Sequence, residues 1–195
     1  MRVFILAVSL FSAALLSAQS PQATSPRNLQ TEIAAHPESP KAIPSDVDTI
    51  EDIVRAFYSA ISTPAGGKLD QNRLRSLFVP DGRIASSVEP TSLRAADVVF
   101  LSPEEYAAMS DAHTVTSGFF DSNPANQIER FGVMAHVYST FESRSHLKDP
   151  KPMARGIKSF ELLKSANRWY IVQIYWDWER ADNPMPDHYL YDSQR

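Results

Sequence analysis

Cysteine is absent from the sequence, and glycine, with six residues among 195, is scarce. Without cysteine, disulfide bonds and thiolate metal sites are excluded, so the hydrophobic core must supply the stability of the fold. The sequence also contains no glycine-rich phosphate loop, dinucleotide fingerprint or nucleophile elbow. We therefore predict that the protein uses no cofactor.

The sequence also has no excess of positive charge. It contains 19 lysines and arginines and 23 acidic residues, which gives a formal net charge of -4. A nucleic-acid-binding protein normally presents a clustered basic face, and this sequence predicts no nucleic-acid partner. The five histidines lack metal-ligand spacing. Because cysteine is also absent, we predict no metal site.

The one long apolar run stands at the start of the chain, from Val3 to Leu16, and ends in small residues up to Ala18. This order is typical of a secretory signal peptide, whereas a membrane-spanning helix needs about 20 apolar residues. We predict a signal peptide over residues 1–18. The protein is then exported, periplasmic or secreted, and makes no membrane contact once the peptide is removed.

Residues 19–47 are rich in proline, serine, threonine and alanine and carry few large apolar side chains. Such a segment cannot offset its ordering entropy. We therefore predict a flexible leader, with one or two helical turns over residues 29–35 as an alternative. A single domain is expected over residues 48–195.

Helical periodicity and end signals predict three helices in the first part of the domain. Thr49 and Asp52 resemble a capping box ahead of an apolar stripe, and Ser102 is followed by a proline at the first helical position. The predicted helices cover residues 50–62, 69–78 and 102–113, with a turn at residues 80–82.

Alternation of apolar and polar side chains predicts strands in the rest of the domain. A short strand is expected over residues 83–87 and three long ones over residues 127–144, 153–164 and 168–179. Helices first and long strands last indicate an α+β fold, in which the helices pack on one face of a curved antiparallel sheet.

The last predicted strand is apolar on both faces. One face carries Trp169, Ile171, Gln173, Tyr175 and Asp177, and the other carries Tyr170, Val172, Ile174, Trp176 and Trp178. One layer of helices covers only one face, and monomers seldom expose large apolar patches. We therefore predict a homodimer through the face that bears Trp176 and Trp178; the alternative is a tightly curled sheet that shelters its own concave side.

Five segments in this order resemble the nuclear transport factor two-like, or SnoaL-like, superfamily, including its uncharacterised exported bacterial members. They are IEDIVRAFYSAI, LRSLFVPDGRI, IERFGVMAHVYSTFESR, ARGIKSFELL and RWYIVQIYWDWE. The resemblance spans residues 48–190. It implies a cone in which a bent antiparallel sheet wraps about three helices around a pocket, often with dimerisation through the sheet.

That superfamily includes enzymes as well as members without catalysis, so the resemblance alone does not decide the function. Phe57 stands where ketosteroid isomerase has a hydrogen-bonding tyrosine, and Ala85, Ser86 and Ser87 stand where it has its carboxylate base. No counterpart of the Asp-Arg-Asp set of limonene epoxide hydrolase is found. The resemblance therefore does not transfer either mechanism.

Asp177 is the best candidate for a catalytic acid or base, because it shares a predicted strand face with Trp169 and Ile171. Poor solvation at a pocket would raise its pKa; the alternative is a solvated carboxylate or one paired with an arginine. His136 is the second candidate, as a proton shuttle or as a base paired with Asp177. Its alternative role is packing with one hydrogen bond.

Arg155 is a candidate ligand for a small carboxylate or carbonyl compound, or else a salt-bridge partner of Glu142 or Glu161. The leading hypothesis is a non-catalytic module that binds a hydrophobic small molecule. Its expected pocket is lined by Phe57, Tyr58, Gln173, Tyr175 and Asp177. The alternatives are a cofactor-independent isomerase, dehydratase or hydrolase with Asp177 as base, and a protein-interaction module.

Overall fold

The computed structural model describes residues 28–88, 95 and 97–191, so the predicted signal peptide lies outside the described residues. The helices are α1 (Leu29–Ala35), α2 (Ile50–Ile61), α3 (Gln71–Leu77) and α4 (Pro103–His113), with short 3-10 turns at Pro44–Asp46 and Asp187–Leu190. The strands are β1 (Phe78–Val88), β2 (Asp97–Leu101), β3 (Phe120–Phe131), β4 (Met134–Arg144), β5 (Ala154–Ser165) and β6 (Arg168–Trp178).

Local capping signals predicted the helix starts well. The Thr49 hydroxyl accepts from the Asp52 backbone N–H at 3.0 Å, and the Asp52 carboxylate accepts from the Thr49 N–H at 3.3 Å. Ser102 and Glu105 form the same reciprocal pair at the start of α4. Both pairs satisfy backbone donors that a helix leaves open at its start, and the predicted α2 and α4 are confirmed.

The six strands form one sheet in the order β2-β1-β6-β5-β4-β3. Every neighbouring pair is antiparallel except β1 and β6, which are parallel. The prediction of a wholly antiparallel sheet is therefore wrong at one pair. β1 and β6 are far apart in the chain and no tight turn joins them, so connectivity does not impose an antiparallel direction on this pair.

Two predicted strand limits are also corrected. Residues 80–82 form no turn but an irregularity inside β1, where the pairing with β6 shifts between Phe78 and Arg83. The single strand predicted over residues 127–144 is the β3–β4 hairpin, which turns at Gly132 with φ +59°. A two-residue turn with glycine first suits the twist of a hairpin. The turn was not predicted because the apolar and polar residues continue to alternate through it.

Helices α2, α3 and α4 pack on one face of the sheet, hereafter the inner face, and the other is the outer face. Helix α1 contributes no buried residue. The largest fully buried side chains of this core include Phe57, Phe141, Phe160, Trp169 and Ile174. Burying side chains of this size stabilises the fold by about 1.5–3 kcal/mol each.

A bulge at Val172 decides which face of β6 is inner. Ile171 pairs with Leu162, but Gln173 pairs with Glu161, so Val172 is the extra residue. Because strand side chains alternate, one extra residue exchanges the two faces beyond it. Trp176 and Trp178 consequently pack against the core. The predicted assignment of the two faces of β6 is therefore wrong beyond the bulge. The homodimer was predicted from those two tryptophans, and it stays a prediction.

The described part of the predicted leader contacts the domain. Helix α1 covers residues 29–35, where one or two helical turns were given as the alternative to a flexible segment. Val47 is buried, and its carbonyl accepts from the Trp169 N–H at 2.9 Å, joining this segment to the start of β6. Within the described ranges, none of the helices has the length and apolar character needed to cross a membrane.

Candidate functional site

An open cleft of about 500 Å³ lies where β1 and β2 meet α4 and the ends of β5 and β6; we call it the hairpin cleft. Its volume is within the range of small-molecule sites. The apolar part of its wall consists of Val88, Val99, Leu101, Met109, Met153, Ala154 and Trp178. Two of these are methionines, whose flexible thioether side chains adapt to ligands of different shape.

Aromatic packing gives the cleft a firm floor. The Trp178 ring lies edge-to-face on Trp176 with 6.5 Å between centroids, and Trp176 lies edge-to-face on Tyr106 at 6.0 Å. Tyr106 belongs to α4, and Met109 follows it by one turn. The capping pair at the start of α4 therefore helps to position the helix that carries Met109 in the cleft wall.

The charged group in the wall of the cleft is neutralised by a neighbour. Glu179 accepts two hydrogen bonds from Arg155, at 2.8 and 3.0 Å, and a third from the Met185 N–H at 3.1 Å. Its pairing with Arg155 lowers the pKa of Glu179. Arg155 is thus an ion-pair residue, as one interpretation expected, but its partner is Glu179 rather than Glu142 or Glu161.

A buried ion pair lies deeper on the inner face. The Lys158 ammonium is 2.8 Å from Asp121 Oδ2, and the two side chains are 4% and 0% exposed. Ser143 donates a hydrogen bond to Oδ1 of the same carboxylate. A buried charge of either sign is tolerated only when it is paired and hydrogen-bonded, and both conditions are met here.

Three aromatic rings enclose the Lys158 ammonium. It lies 3.4 Å from the centroid of the Phe141 ring, 5.3 Å from Trp176 and 5.4 Å from Tyr58. Ring faces attract a cation at these distances. Burial lowers the pKa of Lys158, and the nearby Asp121 carboxylate opposes that shift.

This pair is not among the predicted site residues, although the sequence contains one signal for it. Lys158 is separated by two or four residues from Gly156, Phe160 and Leu162, so it lies on the same, apolar face of its strand. A lysine in that position has to be paired or deprotonated when the strand is buried. The identity of its partner, Asp121, follows only from the pairing of β3, β4 and β5.

Phe57 and Tyr58 lie on the inner side but belong to the packed core. Phe57 is fully buried and meets Phe160 edge-to-face at 5.3 Å. The Tyr58 hydroxyl donates to Ser139 Oγ at 2.9 Å, and burial raises the pKa of Tyr58 well above its ordinary value. Neither residue is part of the hairpin cleft wall.

Asp177 lies on the outer face because of the bulge at Val172. Its carboxylate accepts from Arg180 at 2.6 Å, from the Ser87 hydroxyl at 2.6 Å and from the Trp178 N–H at 2.8 Å. The bond from Arg180 is the main cause that lowers the pKa of Asp177. The predicted raised pKa is wrong, and the alternative of a carboxylate paired with an arginine is confirmed.

His136 is also on the outer face and does not meet Asp177. Its Nε2 atom is 2.8 Å from Ser159 Oγ and 3.6 Å from Glu161 Oε1. Gln173 and Tyr175 share that face. Phe57 and Tyr58 lie on the opposite side of the sheet, so the five residues predicted to line one pocket are not brought together.

Within the part of the chain that the structure describes, no three histidine, aspartate or glutamate side chains converge on a point where a metal ion could bind. The hairpin cleft is lined by apolar residues, by Ser86 and Ser87 and by the paired Glu179, rather than by a cluster of charged ligands. This arrangement suits a largely apolar organic molecule better than a metal ion or a polyanion.

The four helices and the bent six-stranded mixed sheet of the described residues give the nuclear transport factor two-like, or cystatin-like, fold. A protein of unknown function with a cystatin-like fold from Nostoc punctiforme shares it, with a TM-score of 0.50 and 15% identity over 68% of this chain and 90% of that chain.

Two further solved structures are similar at lower scores. One is a nuclear transport factor two-like protein of unknown function from Silicibacter pomeroyi, with a TM-score of 0.46 and 14% identity over 75% of this chain and 98% of that one. The other is an uncharacterized protein with a cystatin-like fold from Caulobacter vibrioides, with a TM-score of 0.48 and 13% identity over 69% and 90%. No family model and no curated protein matches the sequence.

Proposed function

We propose that the protein binds a small, largely apolar and uncharged organic molecule in the hairpin cleft. The observation that carries the proposal is an open cleft of about 500 Å³ whose wall combines two methionines with a tryptophan floor. Clefts of this size with apolar walls and a few hydroxyl groups are the usual form of small-molecule sites.

The electrostatics of the wall support an uncharged ligand. Glu179 is held by Arg155, so the wall presents little net charge to an incoming molecule. A charged ligand would lose its hydration on entry without meeting a free counter-ion, and that loss costs several kcal/mol. An uncharged apolar ligand gains from burial instead.

Catalysis in this cleft has weaker support. Asp177, the predicted base, accepts five hydrogen bonds on the outer face, and its lowered pKa makes it a poor proton acceptor near neutral pH. Lys158, the other reactive group, is buried behind the tryptophan rings. We therefore propose binding without a chemical step.

The test is the binding of the neutral fluorescent probe N-phenyl-naphthylamine to the purified protein, read by the rise in probe emission. Met109→Glu introduces a carboxylate into the cleft wall from a half-exposed position on α4. It should weaken binding about tenfold or more, because the charge must be desolvated when the probe enters.

Ala108→Glu is the matched control, since the neighbouring residue of the same helix is exposed and outside the cleft wall. It adds the same charge and should leave probe affinity within about twofold. Equal loss in the two variants, or saturable binding that Met109→Glu does not weaken, would place the probe elsewhere and overturn the proposal.

A further inference from the structure

A second cavity, remote from the hairpin cleft, lies between the segment after α1 and the starts of β1 and β6. It has a volume of about 350 Å³, and we call it the Arg168 groove. Its apolar wall includes Ile33, Pro40, Phe78 and Tyr170. The two sites share no residue.

Apart from the Tyr170 phenol, the ionisable side chains that line this groove are all basic. His36, Lys41, Arg75 and Arg168 line it, and no aspartate or glutamate does. The whole chain carries a net charge of -4, so a groove lined only by basic groups runs against the average of the protein. Such a concentration of positive charge favours anionic ligands.

Two of these four basic groups have a carboxylate partner, and the other two have none among the described residues. Arg75 is paired with Glu104, and His36 lies 3.1 Å from Glu38. For Lys41 and Arg168, no carboxylate among the described residues lies within ion-pair distance. The uncompensated charge is therefore concentrated on Lys41 and Arg168.

Arg168 is half-buried and held in a fixed orientation. Its guanidinium lies 4.0 Å over the Tyr170 ring, its Nε donates to the Trp169 carbonyl at 3.2 Å, and its Nη2 donates to the Ser76 carbonyl at 2.7 Å. A guanidinium has five N–H groups. Both N–H groups of Nη1 and one of Nη2 have no acceptor among the residues that the structure describes, which leaves N–H groups on both terminal nitrogens of the planar fork free.

The free end of the fork has the geometry that binds a carboxylate with two parallel hydrogen bonds. Burial without an acidic partner lowers the pKa of Arg168, which remains a cation. A partly buried cation without a counter-ion is costly, and an anion bound from solvent would remove that cost.

We propose that the Arg168 groove is a binding site for a small organic carboxylate with an apolar body. The carboxylate pairs with Arg168 and is attracted by Lys41, and the apolar body lies against Ile33 and Phe78. This site is independent of the molecule proposed for the hairpin cleft, because the two walls have no residue in common.

The experiment uses hexanoate, its neutral analogue hexanol, and inorganic phosphate as probes, each titrated into isotopically labelled protein and followed by backbone amide shifts in NMR spectra. Hexanoate should shift amides of the groove, among them those of Lys41, Ser76 and Tyr170, and should bind at least tenfold more tightly than hexanol or phosphate. A charge-assisted hydrogen bond contributes roughly that factor.

Four variants assign the effect to charge. Arg168→Gln should weaken hexanoate at least tenfold, and Lys41→Gln, at an exposed position, should weaken it by a smaller factor. Lys148→Gln removes an equally exposed charge in the β4–β5 connection and should leave affinity unchanged. Arg168→Lys keeps the charge without the planar fork and should fall between wild type and Arg168→Gln.

The proposal is overturned if hexanoate shifts no groove amides in the wild-type protein, or if hexanol binds as tightly as hexanoate. Phosphate binding as tight as that of hexanoate would remove the apolar body from the proposal and leave a simple anion site, which also contradicts it. If Arg168→Gln fails to fold, the wild-type shifts and the comparison of Lys41→Gln with Lys148→Gln still decide the outcome.

Discussion

Breaking the buried pair of Lys158 and Asp121 should destabilise the protein much more than replacing both partners. Lys158→Met removes the ammonium but keeps a side chain of similar length, and it leaves the Asp121 carboxylate, which is 0% exposed, without its cation. Asp121→Asn removes the negative charge and leaves the cation inside its aromatic cage.

The magnitude follows from the geometry. At 2.8 Å the two charges attract each other by ~6 kcal/mol if the effective dielectric constant is about 20. Each charge also loses hydration worth several kcal/mol, so the pair adds little net stability over a well-packed apolar pair. When one partner is removed, the desolvation penalty of the remaining charge is no longer offset by an ion pair. Lys158→Met should therefore lower the free energy of unfolding by about 3–5 kcal/mol.

The assay is a double-mutant cycle from urea unfolding at pH 7, followed by tryptophan fluorescence and far-ultraviolet circular dichroism. The double variant should be more stable than Lys158→Met alone, with a coupling free energy of about 2–3 kcal/mol. The exposed pair of Asp52 and Arg55, in which the arginine is 66% exposed, is the control and should give about 0.5 kcal/mol or less.

Additive effects of Lys158→Met and Asp121→Asn would refute this reasoning, because they would mean that the two charges do not interact in the folded protein. A coupling no larger than that of the exposed control pair would refute it equally.

The remaining predictions concern backbone space and ionisation. Gly156→Ala should destabilise by about 3 kcal/mol or more, since the new Cβ would lie 2.2 Å from the Asp177 carbonyl oxygen; Gly132→Ala, with φ +59° and open space, should cost only about 1–2 kcal/mol in the same urea assay. Burial raises the pKa of Tyr106, so the stability due to its neutral phenol is complete below pH ~10 and falls above it. Tyr106→Phe should make that alkaline fall shallower by about 1.4 kcal/mol per pH unit, and an unchanged slope would contradict the assignment. Arg180→Gln should return the lowered pKa of Asp177 toward about 3.9 in an NMR titration.

Helix positions could be predicted from sequence because their signals are local. The capping pair of Thr49 and Asp52 and the apolar stripe of α2 lie within one short segment, and no distant residue is needed to interpret them. The same holds for Ser102 and Glu105 at α4. β2 was missed because its five residues carry no alternation of their own and gain their place only by pairing with β1.

The faces of β6 could not be predicted from alternation alone. The bulge at Val172 exists because Glu161 and Leu162 of β5 pair with Gln173 and Ile171, and that pairing is a property of two strands together. One extra residue moved Asp177 to the outer face and the tryptophans to the inner face. The candidate site built on Asp177 therefore failed for a reason that no single segment of sequence contains.

The buried lysine explains why the candidate ligand site lies at the edge of the sheet. In a cone of this kind a ligand would be expected on the inner face beside the helices, but Lys158, Phe141 and Trp176 occupy that region and Lys158 is 4% exposed. A molecule could reach the ammonium only by displacing one of these rings. The contacts that now offset the lost hydration of Lys158 and Asp121 would then be disturbed. The hairpin cleft, whose wall includes Trp178, is an open space beside this closed region. The ion pair and its rings thus close the interior to the molecule proposed for the hairpin cleft, which is why we expect its affinity to depend on Met109 and Trp178 rather than on Lys158 and Asp121.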